Sequence, residues 1–131
     1  MPRTHVFSGS IYEEMAGYAR AVIVGDAIYV SGTVGVDFKT GELADGPEAQ
    51  TDRALDTIRA TLEEAGSSLG DIVRVRVYAP DPADVMAISG RLKERLGFTS
   101  PTNTTICSPL AVPGAHVELE VEALRGSANP G

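Results

Sequence analysis

DGPEAQTDRALDTIRATLEEAGSSLGDIVRVRVYAP, residues 45–80, is the stretch from which the fold can be read. Leu55, Ile58, Leu62 and Ala65 recur at spacings of three and four, with Asp52, Arg53, Asp56, Arg59, Glu63 and Glu64 between them. One apolar stripe on an otherwise charged cylinder is an amphipathic helix laid on a core. Pro47 suits the first turn, where its missing N–H is not needed, and Gly66 suits the left-handed position just past the end. After a short connection the period drops to two. Val73, Val75, Val77 and Ala79 should point one way, and Ile72, Arg74, Arg76 and Tyr78 the other. The valine face is the natural seat for the helix, which leaves the arginine and tyrosine face turned away from it.

Working outward, ArgAlaValIleVal (20–24) and AlaIleTyrValSer (27–31) flank GlyAsp, a pattern that predicts a hairpin with a type II′ turn. Gly32 follows, read either as a bulge or close-approach position or as a strand simply ending. Before it, residues 1–17 carry no firm signal beyond a weak strand look at Thr4 to Phe7. On the other side, Asp81 and Pro82 open a second helix with Val85, Ile88, Leu92 and Leu96 as its stripe and Gly97 as its stop. Pro101 ends helical structure, and AsnThrThrIleCys (103–107) is β-branched enough for a strand. ProGly at 113–114 predicts a type II turn. The last strand is the clearest: Val117, Leu119, Val121 and Ala123 on one side, His116, Glu118, Glu120, Glu122 and Leu124 on the other. The expectation is an α+β fold, a mixed sheet with two helices on one face. Same-side glutamates lie roughly 7 Å apart along a strand and repel one another, so the cross-strand arginines are their natural partners. Such a face serves equally as a solvated surface of weak ion pairs.

At 131 residues and 43% hydrophobic, with no apolar run near the roughly 20 residues that cross a bilayer, one domain spanning 1–131 is expected. The first residues lack the apolar segment of a signal peptide and Cys107 is the single cysteine, so a cytoplasmic protein without disulfides is expected. A net charge of −7 disfavours nucleic acid and anionic membranes as partners.

Several segments together resemble the Rid family, also called YjgF/YER057c/UK114. They are GlyTyr at 17–18, ValSerGly at 30–32, AlaGln at 49–50, AlaGlySerSerLeuGlyAspIleVal at 65–73, Pro101 before a threonine-rich strand, and ValGluLeuGluValGluAla at 117–123. The match spans nearly the whole chain, and its specificity lies in the order and spacing of the segments. The resemblance implies a chorismate-mutase-like (YjgF-like) fold in a homotrimer, with small-molecule pockets at the subunit interfaces. It implies hydrolysis of reactive imines and enamines to keto acids and ammonia, with no metal and no cofactor. Carried across residue by residue, the water-holding glutamate is Glu120 and the pocket tyrosine Tyr18; the family's substrate-clamping arginine is replaced by Asn103, and its cysteine by Thr105. Thr104, Ser89 and Gly32 fall near the pocket in the same pattern. Cys107 lies two residues past the family's cysteine position and reads as a buried, inert thiol rather than a nucleophile.

Asn103 decides how far the activity transfers. An arginine gives a carboxylate a charged, two-pronged partner, whereas asparagine offers a neutral amide. Losing one charge-assisted bond costs about 1.5 to 3 kcal/mol, which disfavours the usual anionic 2-aminoacrylate. A less anionic imine, enamine or related carbonyl compound fits such a pocket, with Glu120 and Thr105 at the chemistry. A non-catalytic trimer that only binds the ligand is the second reading. An endoribonuclease is the third, weakened by the acidic balance and by the lack of a histidine pair near the site. Tyr18 could equally pack at a subunit seam, and Asn103 could equally bond to backbone at the start of a strand.

Overall fold

Where the apolar period is 3.6 the chain is helical, and where it is 2 it is extended. In a computed structural model that describes residues 2–128, the order is β1 (Arg3–Val6), α1 (Ile11–Ala16), β2 (Ala21–Val24), β3 (Ala27–Val34), α2 (Pro47–Glu64), β4 (Ile72–Ala79), α3 (Val85–Leu96), β5 (Thr102–Cys107) and β6 (Glu118–Leu124). The six strands form one sheet in the order β1-β2-β3-β6-β4-β5. All pairings are antiparallel except β4 with β5, so the sheet is mixed.

Helix α2 carries Pro47 in its first turn. It ends where Gly66, at φ 77°, turns the chain so that the Ser67 N–H reaches the Leu62 carbonyl at 2.8 Å. Leu55, Ile58 and Leu62 are fully buried, as are Ile88 of α3 and Val117 and Leu119 opposite them, so one core lies between the two helices and one sheet face. Between the helices, Arg95 bridges Asp52 (3.4 Å) and Asp56 (2.8 Å). Helix α3 ends at Leu96 as expected, although the chain continues through one 3-10 turn before Ser100 reverses it at φ 46°.

Two details depart from strict alternation. In β4, Ile72 is buried and Val73 exposed, the reverse of expectation. The register against β6 steps from Ile72↔Ala123 to Arg74↔Glu122, so Val73 is an extra residue and this bulge turns Ile72 inward. In β3 the register slips between Val30 and Thr33, so Ser31 and Gly32 form the second bulge. The Gly25–Asp26 hairpin has its positive φ, 59°, at the glycine alone, as a type II′ turn requires. The Val112–Ala115 turn closes with Gly114 at φ 83°.

The first 17 residues hold two elements. Strand β1 adds to the hairpin's outer edge. Helix α1 is capped by the Ser10 hydroxyl, which accepts from Tyr12 N at 3.2 Å. Its polarity is inverted: Glu13 is buried and accepts from Ser8 N (3.0 Å), while Ile11, Tyr12 and Met15 are exposed. At the other end, the buried Asp71 accepts from the Ser67 hydroxyl (2.6 Å) and from the N–H groups of Gly126 (3.1 Å) and Ala128 (2.9 Å). Burial raises its carboxyl, but these bonds outweigh burial and leave it below the usual aspartate value.

Gln50 closes the packing. Its Nε2 donates to the carbonyls of Ala44 (3.0 Å) and Gly114 (3.4 Å), and its Oε1 accepts from His116 N at 2.7 Å. Gly35 lies directly beneath, where an added Cβ would stand 2.3 Å from the Gln50 carbonyl oxygen.

Leu62→Ala should cost about 2 to 5 kcal/mol in urea unfolding, since it empties a fully buried position in the core. A loss below about 0.5 kcal/mol would contradict the packing described. Gly35→Ala should cost about 1 to 3 kcal/mol or more, because backbone, not a flexible side chain, meets the new methyl. An unchanged unfolding midpoint would show that β3 and α2 are further apart than this.

Candidate functional site

The sheet face turned away from the helices is a charged ladder whose register can be followed residue by residue. Glu118, Glu120 and Glu122 of β6 stand opposite Tyr78, Arg76 and Arg74 of β4. Arg76 lies 3.4 Å from Glu120 and 3.6 Å from Glu122, and Arg74 lies 3.6 Å from Glu122. The Tyr78 hydroxyl donates to Glu120 at 3.1 Å, and this bond, with burial behind it, raises the phenol above its ordinary value, so Tyr78 remains a donor. The carboxylate of Glu120 is therefore oriented by a cation and a hydroxyl together.

Glu118 stands apart. Among the described residues it makes no ion pair, and its carboxyl leans over the β3 bulge, with Cδ and Oε2 each 3.1 Å from where a Gly32 Cβ would be. Gly32 is thus a close-approach position, and what approaches it is a side chain of the same face. Burial raises the Glu118 carboxyl above the ordinary glutamate value; Arg20 opposes this and Glu120 adds to it. Arg20 holds the bulge from the other side: its Nη2 donates to the carbonyls of Ser31 and Gly32 (3.0 Å) and to Thr33 Oγ1 (2.8 Å). The sequence pattern places Glu118 on the ladder face but gives no sign of its contact with the bulge, and it gives Arg20 no role beyond opening the hairpin. The signal for both was the glycine, since a bulge exposes carbonyls that need a donor.

Tyr18 follows Gly17, the left-handed cap of α1, and its N–H bonds the Glu13 carbonyl at 3.0 Å. Its ring is 43% exposed and lines an open cleft of about 520 Å³ with His5, Phe7, Glu13 and Ser31. Asn103, Thr104 and Thr105 lie on β5, at the other end of the sheet. Asn103 pairs with Val75 and Thr105 with Val77, so both share the helix side of the sheet, and the Thr105 hydroxyl donates to Asn103 Oδ1 at 2.9 Å. Thr104 pairs with Arg76 and points to the opposite face, because alternate strand residues cannot share a side. Ser89 is exposed on α3, in the helix layer, and joins neither group.

Within one chain these residues do not make one pocket. Four strand spacings, on the order of 19 Å, separate β2 beside Tyr18 from β5. Tyr18 lies by the hairpin, the Gly32 bulge of β3 faces Glu120 across the strand gap, and Asn103 and Thr105 lie on the helix side of β5. Cys107 corrects a further expectation: it is exposed, not buried, because β5 is an edge strand whose six side chains all escape the helix layer. It does share a side with Thr105, as their pairing with Ala79 and Val77 requires. His116, just before β6, places its Nδ1 2.8 Å from Asp84 and ties the entry of β6 to the start of α3. No helix among the described residues is long and apolar enough to cross a membrane.

Residues 10–125 match the family described as Endoribonuclease L-PSP. A RutC family protein of Pyrococcus abyssi is 34% identical over 107 residues, covering 81% of this chain and 84% of that one. The 2-iminobutanoate/2-iminopropanoate deaminase of Escherichia coli K12 is 32% identical over 111 residues, covering 82% and 84%. Among solved structures, a Mycobacterium tuberculosis member of the YjgF/YER057c/UK114 family superposes with a TM-score of 0.86 at 35% identity, over 94% of this chain and 99% of that one. RidA from an Antarctic Psychrobacter superposes at 0.79 with 28% identity, over 92% and 93%. With the family match running over residues 10–125 and relatives above 30% identity over about four-fifths of its length, the chain belongs to the Endoribonuclease L-PSP family, the Rid or YjgF/YER057c/UK114 proteins.

Proposed function

We propose that this protein is a cofactor-free hydrolase of a small imine, enamine or related carbonyl compound, working as a homotrimer whose pockets form between subunits. The observation that carries the reading is the split of the site: the oriented carboxylate of Glu120 and the amide of Asn103 lie on different sides and different strands of one sheet. A pocket using both needs two copies, and the exposed edge β5 of one copy is the strand that a neighbour would cover. Relatives named 2-iminobutanoate/2-iminopropanoate deaminase support the reaction class.

In this reading Glu120, oriented by Arg76 and Tyr78, takes a proton from water as the water oxygen adds to the imine carbon. Nitrogen takes up that proton to give the carbinolamine; Glu120 then takes the hydroxyl proton as the carbonyl forms and passes it to nitrogen, the C–N bond breaks and ammonia leaves. Asn103 and Thr105 bind the substrate through neutral donors and acceptors, and Tyr18 walls the pocket. With asparagine in place of the clamping arginine, the substrate is less anionic than 2-iminobutanoate. The second reading, a trimer that binds such a ligand without turnover, rests on the same residue, because Asn103 removes the charge that would anchor a carboxylate. Ribonuclease activity is disfavoured by a net charge of −7 and by ladder arginines that are already paired with glutamates.

Light scattering should give about three times the 13.7 kDa chain mass, roughly 41 kDa. A strictly monomeric particle would remove the shared pocket. In a coupled assay that generates 2-iminobutanoate, Asn103→Arg should speed its hydrolysis roughly 10-fold or more, the equivalent of one charge-assisted bond. Glu120→Gln should abolish turnover in either background, since an amide does not accept the proton. Turnover that survives Glu120→Gln would assign Glu120 to the solvated ladder alone. Ligand protection against heat in the wild-type chain, without product from any neutral or anionic imine, would favour the binding reading.

A further inference from the structure

On the flank of α2, away from the ladder, lies a second cleft of about 350 Å³. Its lining includes Phe7 and Phe38, Thr57 and Ala60 of α2, and the two arginines Arg20 and Arg53. The volume is within the range of small-molecule sites, and both phenylalanine rings are more than half exposed, ready to cover something.

The charges along this cleft do not balance. Arg20 is 8% exposed, and its hydrogen bonds all leave from Nη2 toward neutral acceptors, while its Nε is buried without an acceptor. No carboxylate among the described residues lies within ion-pairing distance of it. Glu13 and Glu118 act on it only from further away, and Glu13 is already bonded to Ser8 N at 3.0 Å. Arg53 reaches only the Glu42 carbonyl, at 3.5 Å. Of the two acidic residues on the lining, Asp56 is answered by Arg95 (2.8 Å) and Arg59 (3.6 Å), which leaves Glu64 alone against two arginines. Among the residues that line the cleft the excess is one positive charge, and Arg20, buried at its inner wall, presents a guanidinium that favours a planar, two-oxygen partner.

We propose that this cleft binds a small organic monoanion, a carboxylate with an aromatic or branched apolar body, with the carboxylate answered by Arg20 and Arg53 and the body held between Phe7 and Phe38. A dianion would face Glu64 with too little positive charge to offset it, and a sugar-like ligand would leave the aromatic walls unused. This site does not depend on the hydrolase reading: it contains neither Glu120 nor Asn103, and only Phe7 is shared with the Tyr18 cleft.

The test is an amide NMR titration of the ¹⁵N-labelled full chain with phenylacetate, and with phenylacetamide as the neutral counterpart. Phenylacetate should shift the amides of Phe7, Phe38, Thr57 and Ala60, and phenylacetamide should bind roughly 10-fold more weakly, the loss of one charge-assisted bond. Ala60→Phe, at an exposed helix position where the fold is not at risk, should fill the cleft and abolish the shifts. Arg20→Gln should do the same if it folds; the Ala60 variant decides if it does not. The proposal is overturned if phenylacetate shifts nothing at millimolar concentration, if the shifts gather at Tyr18 instead, if the amide binds equally well, or if binding survives Ala60→Phe.

Discussion

The side chain of Gln50 joins two stretches far apart in sequence: the loop before α2, and the segment that runs from the turn at Gly114 into the entry to β6. A buried primary amide has two donors and an acceptor to satisfy, and leaving any of them unmet costs about 1 to 3 kcal/mol, so its three bonds act as a set. The contact exists because Gly35 lets the β3 backbone lie against the first turns of α2. Its reach extends to the ladder. By holding the N–H of His116, Gln50 fixes where β6 begins, two residues before Glu118. A slip of one residue there would send the glutamates into the core and the valines into solvent.

That register decides how each carboxylate of the ladder is partnered. Glu120 and Glu122 are both met by arginines across the strand gap, so the repulsion expected of same-side carboxylates is largely cancelled. Glu118 is left as the carboxyl with a different environment, pressed over the glycine bulge and partly buried. Two carboxyl groups of one strand, in unlike surroundings, are a common basis for dividing proton donation from proton acceptance. In this chain the difference arises from a bulge in the neighbouring strand and from the arginine that props it open.

Much of this was legible in the residues. The two helices, the hairpin, the late strand and both sides of β6 follow from period and punctuation, because each element buries one face and exposes the other. The order of strands does not follow from period, and neither does the separation of Asn103 from Tyr18, since both depend on long-range pairing. Helix α1 escaped because its pattern is inverted: a glutamate faces inward to bond Ser8 while isoleucine, tyrosine and methionine face out. The Val73 bulge escaped because ValArgValArgVal alternates without a flaw, and only the partner strand shows the extra residue. Cys107 was misjudged on residue type, since a cysteine's preference for the interior yields when its strand lies at the uncovered edge. Ser89 and Thr104 were grouped with Asn103 by the family pattern, and alternation and layer separate them in the single chain.

Asp71 sets a boundary that no strand or helix reveals. Its carboxylate lies at the start of β4 in sequence order, yet it is satisfied by N–H groups of Gly126 and Ala128, beyond the last strand. A polypeptide cut after Leu124 would retain every paired residue of the sheet and still be left with a buried anion stripped of two of its donors. The smallest autonomous unit of this fold is therefore longer than its regular structure, and a fusion partner is better joined after residue 128 than at the end of β6.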